Sequence, residues 1–174
     1  MRVIAGEFRS RRLKTLPGLE TRPTPDRLRE TLFNVLGPVL PDAIFLDAYA
    51  GTGAVGIEAL SRGARRAIFV EKNRAAVEVI RENLAALGLE GRAEVYTGKT
   101  LAVLERVQAD IVFLDPPYEK ETEYELALTA LGASTSKLVI AQHASRATLN
   151  PEYGTLRRYR ILKQGDNSLS FYQT

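Results

Sequence analysis

The chain contains no cysteine and only one histidine, His143. Without cysteine there is no disulfide, no thiolate nucleophile and no thiolate-based metal site. With a single histidine, a multi-histidine metal centre is also excluded. No apolar run approaches the roughly 20 residues that a membrane-spanning helix needs. The opening segment, Met1-Arg2-Val3-Ile4-Ala5-Gly6, has too few apolar residues for a secretory signal. These absences remove several enzyme classes and leave a cytoplasmic protein as the expectation. What is present is ordinary globular composition, at a length that fits one domain with a substantial core.

Charge is unevenly spread. Residues 1–29 hold eight basic side chains against three acidic ones, a surplus of five. The remainder holds sixteen against eighteen, a deficit of two. A cationic arm on a slightly acidic body points to a polyanionic partner; an arginine-rich solvated surface is the plainer alternative.

Phe8 and Leu13 are apolar anchors around exposed arginines, which predicts a small extended or hairpin element. Pro17-Gly18 is a turn signal. Thr24 followed by Pro25 predicts a helix N-cap and first helical position. The helix then runs to about Leu36, with Leu28, Leu32, Val35 and Leu36 on one face. From residue 43 strands and helices alternate. Apolar runs at 43–47, 66–71, 93–97, 110–114 and 137–141 predict strands. Helices are expected after the glycine-rich turn 51–56, from the Asn73 cap to Gly88, for about two turns from Thr100, and over 123–131. Residues 155–163 and 168–172 predict a closing hairpin around Gln164-Gly165-Asp166-Asn167. Five βα units predict a parallel α/β sheet covered on both faces, with an antiparallel strand added by the hairpin.

Two stretches carry chemistry. Gly51-Thr52-Gly53-Ala54-Val55-Gly56 follows a strand and opens a helix, so a ligand can approach the backbone closely. Glu71, at the end of the next strand, can accept hydrogen bonds from two ribose hydroxyls. This pair suits a dinucleotide or S-adenosylmethionine equally. The absence of a second mononucleotide-binding half argues against a dinucleotide. The second stretch, Asp115-Pro116-Pro117-Tyr118, places a carboxylate, a rigid turn and an aromatic ring at one strand end. Ligands bind at such ends in open α/β sheets.

Asp47-Ala48-Tyr49-Ala50-Gly51-Thr52-Gly53 resembles the first motif of class I S-adenosylmethionine-dependent methyltransferases, and Glu71 matches their ribose-binding acid. Asp115-Pro116-Pro117-Tyr118 resembles the motif of enzymes that methylate exocyclic amines on bases. The segments Arg9-Ser10-Arg11-Arg12-Leu13, Thr21-Arg22-Pro23-Thr24-Pro25-Asp26-Arg27 and Gly56-Ile57-Glu58-Ala59-Leu60-Ser61-Arg62-Gly63-Ala64 are similar to the RsmD family of bacterial 16S rRNA guanine-N2 methyltransferases. So is the ending Gly165-Asp166-Asn167-Ser168-Leu169-Ser170-Phe171-Tyr172.

This resemblance implies a Rossmann-like class I methyltransferase fold with a mostly parallel seven-stranded sheet and helices on both faces. Residues 41–174 would form the methyltransferase domain. Residues 1–40 would be a basic RNA-binding extension rather than an independent domain. Asp115, Pro116, Pro117 and Tyr118 would be catalytic, with Asp115 and the Pro116 carbonyl accepting the two amine N–H bonds and Tyr118 stacking on the base. Asp47, Ala48, Gly51, Gly53, Glu71, Lys72, Gly98, Thr100 and Asp115 would bind S-adenosyl-L-methionine. Arg9, Arg11, Arg12, Lys14, Arg22 and Arg27 would contact 16S rRNA or a small-subunit assembly intermediate; no metal and no membrane are implied. The target, guanine 966, comes only through the resemblance.

Lys99 departs from the acidic or amide residue that many class I enzymes carry after the third strand, and a lysine cannot accept a hydrogen bond. Adenine recognition then falls to the backbone or to Thr100. Arg157, Arg158 and Arg160 are a second basic cluster, divided between RNA contact and plain surface. His143 is expected just past the fifth strand in a structural or surface role. Three rival functions remain on the sequence: DNA adenine-N6 methylation, a noncatalytic rRNA-binding assembly factor, and an NAD dehydrogenase.

Overall fold

The computed structural model describes residues 1–18, 24–117, 120–134 and 138–174. Its elements are α1 (Asp26–Leu36), β1 (Ile44–Asp47), α2 (Ala54–Ser61), β2 (Arg66–Glu71), α3 (Arg74–Leu87), β3 (Ala93–Thr97), α4 (Thr100–Leu104), β4 (Ile111–Leu114), α5 (Glu121–Gly132), β5 (Leu138–Ala144), β6 (Glu152–Tyr153), β7 (Leu156–Gln164) and β8 (Asn167–Gln173). They form one sheet in the order β3-β2-β1-β4-β5-β8-β7-β6. The first five strands in that order are parallel; β8, β7 and β6 pair antiparallel. This is the expected Rossmann-like α/β fold, with one strand more than the seven predicted. The extra strand, β6, is only two residues long, too short to leave a period-2 signal.

Strand periodicity sorts the core into two faces. Leu46, Ile68, Val70, Val112, Leu114, Val139 and Ala141 pack beneath α4 and α5. Phe45, Ile111, Phe113, Ile140 and Phe171 meet α1 and α2 on the other face. Farther along that face, Ala67 and Phe69 pack against Ile57 and Leu60 of α2 and Ile80 and Leu84 of α3. Asn73 caps α3 as expected, its Oδ1 accepting from the amides of Ala75 (2.9 Å) and Ala76 (3.2 Å).

Three local expectations shift. The N-cap of α1 is Pro25 rather than Thr24, because the Pro25 carbonyl accepts the first helical bond, from Arg29 N–H at 3.0 Å. The helix from Thr100 has five residues rather than two full turns. β5 continues to Ala144 because β8 goes on pairing with it, Gln142 opposite Leu169 and His143 opposite Ser168. His143 therefore lies within the strand rather than past it.

The arm forms a hairpin closed by an antiparallel bridge between Arg2 and Arg12. Val3 and Leu13 are buried against α2 and α3. The amides of Ile4 and Ala5 donate to the two carboxylate oxygens of buried Glu58 at 2.9 and 3.0 Å. Ser61 adds a donation to Ala5 O at 2.6 Å and accepts from Phe8 N–H at 3.0 Å. Gly6 is required here: a Cβ would lie 2.0 Å from Ser61 O, and φ is +84°. Arg29, fully buried, donates to Arg2 O (2.9 Å) and to Asp26 (3.0 Å), tying α1 to the same hairpin.

Candidate active site

The chain reverses direction across the sheet between β1 and β4, with β2 and β3 to one side and β5 to the other. Ligands collect at such a switch point, outside the carboxyl ends of the strands. A cleft of about 1450 Å³ opens there. It is lined by Asp47, Gly51, Glu71, Lys72, Gly98 and Thr100 from the β1–β3 side, and by Asp115, Pro116 and Pro117 from β4. Most of the residues expected on the cofactor and acceptor sides thus line one cleft. Tyr118 lies outside the described residues.

Asp47 ends β1 and is buried, its Oδ2 accepting from Gly56 N–H at 3.0 Å. Burial pushes its carboxyl up to about 7; the Gly56 bond pulls down and the charge of Glu71 pushes up. Glu71 ends β2 at the rim, where Oε2 accepts from Gly51 N–H (2.9 Å) and Oε1 from Asn73 N–H (2.8 Å). The carboxylate therefore braces the glycine loop while facing the cleft. Gly51 has φ +56°, and a Cβ built on it would meet none of the described residues within 4 Å. Its backbone is laid open to whatever occupies the cleft. Thr100, buried at the start of α4, donates to Ala48 O at 2.6 Å and locks β1 to α4. Ala48 and Gly53 are buried beneath the cleft rather than lining it, so any part they play runs through the backbone. Two carboxylates and a glycine backbone that no described side chain covers suit a ligand with positive charge and ribose hydroxyls. S-adenosylmethionine fits that description.

Several lining residues carried no site role on the sequence. Met1, Thr24, Pro25 and Asp26 line the cleft from the arm and the start of α1. Tyr49 donates to Glu123 Oε2 on α5 at 2.9 Å; burial and that bond push its phenol above the ordinary value. Gln142, Ser145, Arg146 and Asn167 come from β5, the turn after it, and β8. Gln142 could have been noticed as a polar side chain at the end of the apolar run Leu138-Val139-Ile140-Ala141. Lys99 is exposed at the rim.

Arg9, Arg11, Arg12, Lys14 and Arg27, the described cations among those expected to contact RNA, stand outside the cleft. Arg9, Arg11, Arg12, Lys14 and Arg27 are exposed; Arg22 lies outside the described residues. Lys14 pairs with Glu82 at 2.6 Å, and Arg11 reaches Ala86 O at 3.4 Å. The second basic cluster divides: Arg157 pairs with Glu152, Arg158 donates to Leu149 O at 2.9 Å, and Arg160 is exposed. His143 is buried away from the cleft. Its Nδ1–H donates to Ala144 O (2.9 Å), its Nε2 accepts from Ser170 (2.8 Å), and burial holds its pKa down. Among the described residues no cluster of His, Asp and Glu could hold a metal ion, and no helix is long and apolar enough to cross a membrane.

Known proteins share this framework. The chain matches the family described as Conserved hypothetical protein 95 over residues 1–173. The Bacillus subtilis protein YlbH is 34% identical over 182 residues, covering 99% of this chain and 98% of that one. Ribosomal RNA small subunit methyltransferase D of Escherichia coli is 43% identical over 122 residues, covering 69% of this chain and 61% of the relative. The solved structure of the Escherichia coli protein yhhF superposes with a TM-score of 0.88 at 35% identity, covering 99% of this chain and 97% of that one. The chain belongs to the Conserved hypothetical protein 95 family, within the class I S-adenosylmethionine-dependent methyltransferases.

Proposed function

We propose that this protein methylates the exocyclic N2 of one guanine in small-subunit ribosomal RNA. The observation that carries the reading is the shared cleft. Asp115 and Pro116 at the end of β4 face the same space as Asp47, Gly51 and Glu71. The donor side and the acceptor side of a methyl transfer are then contiguous. The likeness to the Escherichia coli ribosomal RNA small subunit methyltransferase D and the cationic arm support RNA as the acceptor. A cytoplasmic location accompanies this reading.

S-adenosylmethionine, when bound, supplies a methyl group already activated on a sulfonium. Asp47 and Glu71 provide negative charge and acceptors for that cofactor, and Gly51 admits it against the backbone. Asp115 and the Pro116 carbonyl accept the two N–H bonds of the guanine amine. An aromatic amine is a weak nucleophile because its lone pair is delocalised into the ring. Holding both hydrogens bends the nitrogen toward tetrahedral geometry and aims the lone pair at the donor. Positioning and local electrostatics carry the rate. Arg9, Arg11 and Arg12 contact phosphates and set the register of the RNA.

The test is incorporation of radiolabelled methyl into 16S rRNA, immature small subunits and duplex DNA, followed by nucleoside analysis. N2-methylguanosine from ribosomal RNA is the expected product; incorporation into DNA alone refutes the proposal. Asp115→Ala is expected to retain cofactor affinity within about threefold while turnover falls at least 100-fold, the scale of losing a positioned polar group. Calorimetry and single-turnover assays separate the two.

A further inference from the structure

The polar ends of β1, β4 and β5 share one face of the sheet. Asp47 lies opposite Phe113, and Phe113 opposite Ile140. Two residues beyond Phe113 and Ile140 stand Asp115 and Gln142. In a strand, positions two apart share a face. Phe45, Phe113 and Ile140 of this parity are buried together against α1 and α2. Asp47, Asp115 and Gln142 therefore mark the line where that apolar row ends and the cleft begins.

Gln142 is unusual among them. It is 3% exposed, it lines the cleft, and among the described residues its buried Oε1 has no hydrogen-bond partner. Its backbone is fixed by the Tyr124 hydroxyl, which donates to Gln142 O at 2.6 Å, and by its place opposite Leu169 in β8. A buried amide oxygen without a donor is costly unless a ligand provides one. The mechanism above makes no use of this group.

We infer that Gln142 reads the Watson–Crick edge of the acceptor guanine, its Oε1 accepting the N1–H beside the amine that Asp115 holds. The inference rests on the guanine-N2 reading. Neighbouring strands lie about 4.8 Å apart, so side chains from β4 and β5 can reach adjacent positions on one base edge. Guanine carries N–H groups at both N2 and N1. Adenine has an acceptor at N1, which would face the Gln142 oxygen and be rejected. Gln142 is thus a specificity-determining residue, with no part in bond making.

The test uses the full chain and substrate RNA in which the methylated guanine, once mapped by mass spectrometry, is replaced by 2-aminopurine. That base keeps the amine but lacks the N1–H. The wild-type protein is expected to prefer guanine by roughly 10- to 100-fold in kcat/KM, the scale of one buried hydrogen bond. Gln142→Met and Gln142→Ala are expected to lose most of that preference by slowing on guanine alone, with cofactor affinity unchanged in calorimetry. Gln142→Glu, which retains an acceptor, is expected to keep it. A wild-type preference preserved in Gln142→Met or Gln142→Ala, or an equal fall on both bases, overturns the inference while leaving the guanine-N2 reading intact. No methylation of RNA guanine by the wild-type protein overturns that reading itself, and the role of Gln142 with it.

Discussion

Asp47 joins burial to charge at a position where the two conflict. Its carboxyl is raised from 3.8 to about 7, so between those values the folded protein keeps a proton that the unfolded chain releases. Stability then falls as pH rises through this window and levels off above it. The cost at pH 8 is on the order of 4 kcal/mol as an upper bound. Asp47→Asn is expected to flatten the decline in thermal midpoint between pH 5 and pH 8, read by calorimetric scans of both proteins. An identical pH profile in the two would remove Asp47 as its source. At this scale the site was partly legible. Asp47, Gly51, Glu71 and Asp115 sit in motifs whose residue types follow from the ligand's chemistry. Gln142 leaves only a weak trace, because a polar residue after an apolar run reads first as the end of a strand. Only the antiparallel neighbour β8 shows that the strand continues through it.

Among the elements, α2 has two attachments. Its Gly56 amide meets Asp47 on the cleft side, and its Glu58 and Ser61 side chains hold the arm. Glu58 is fully buried and shares its charge with Arg62 at 2.8 Å. Glu58→Ala would leave two backbone donors without their acceptor. It is expected to destabilise the protein by about 2–4 kcal/mol in urea unfolding. Faster amide exchange in the arm should accompany the loss; protection unchanged at Ile4 and Ala5 would contradict this account. Hydrophobic periodicity located the parallel strands and the long helices, since each buries a regular face. It missed the docking of the arm, which depends on polar side chains of α2 meeting backbone groups more than fifty residues away in sequence. It missed β6 as well, since two residues have no period.

At the scale of the whole molecule, charge and topology matter more than any one contact. The exposed arginines of the arm give the protein a cationic end on a slightly acidic body. Joint replacement, Arg11→Ala with Arg12→Ala, is expected to weaken RNA binding and to make log K less steep against log salt by about one to two, as two phosphate contacts are lost. Binding titrations from 50 to 200 mM salt on both proteins give the two slopes; equal slopes would take the arm out of the RNA footprint.

The place of β8 sets an order of events. It follows β7 in sequence, yet it lies between β5 and β7 in the sheet. Until β8 has been synthesised, β5 presents an open edge and β7 has only the two-residue β6 to pair with. Exposed strand edges invite pairing with other chains. Leu169, Phe171 and Tyr172 of β8 then close both gaps together and become fully buried. A nascent chain halted before residue 167 would carry most of the cleft while its sheet stayed divided, so completion of the fold is timed by a strand whose residues lie far in sequence from the motifs of the site.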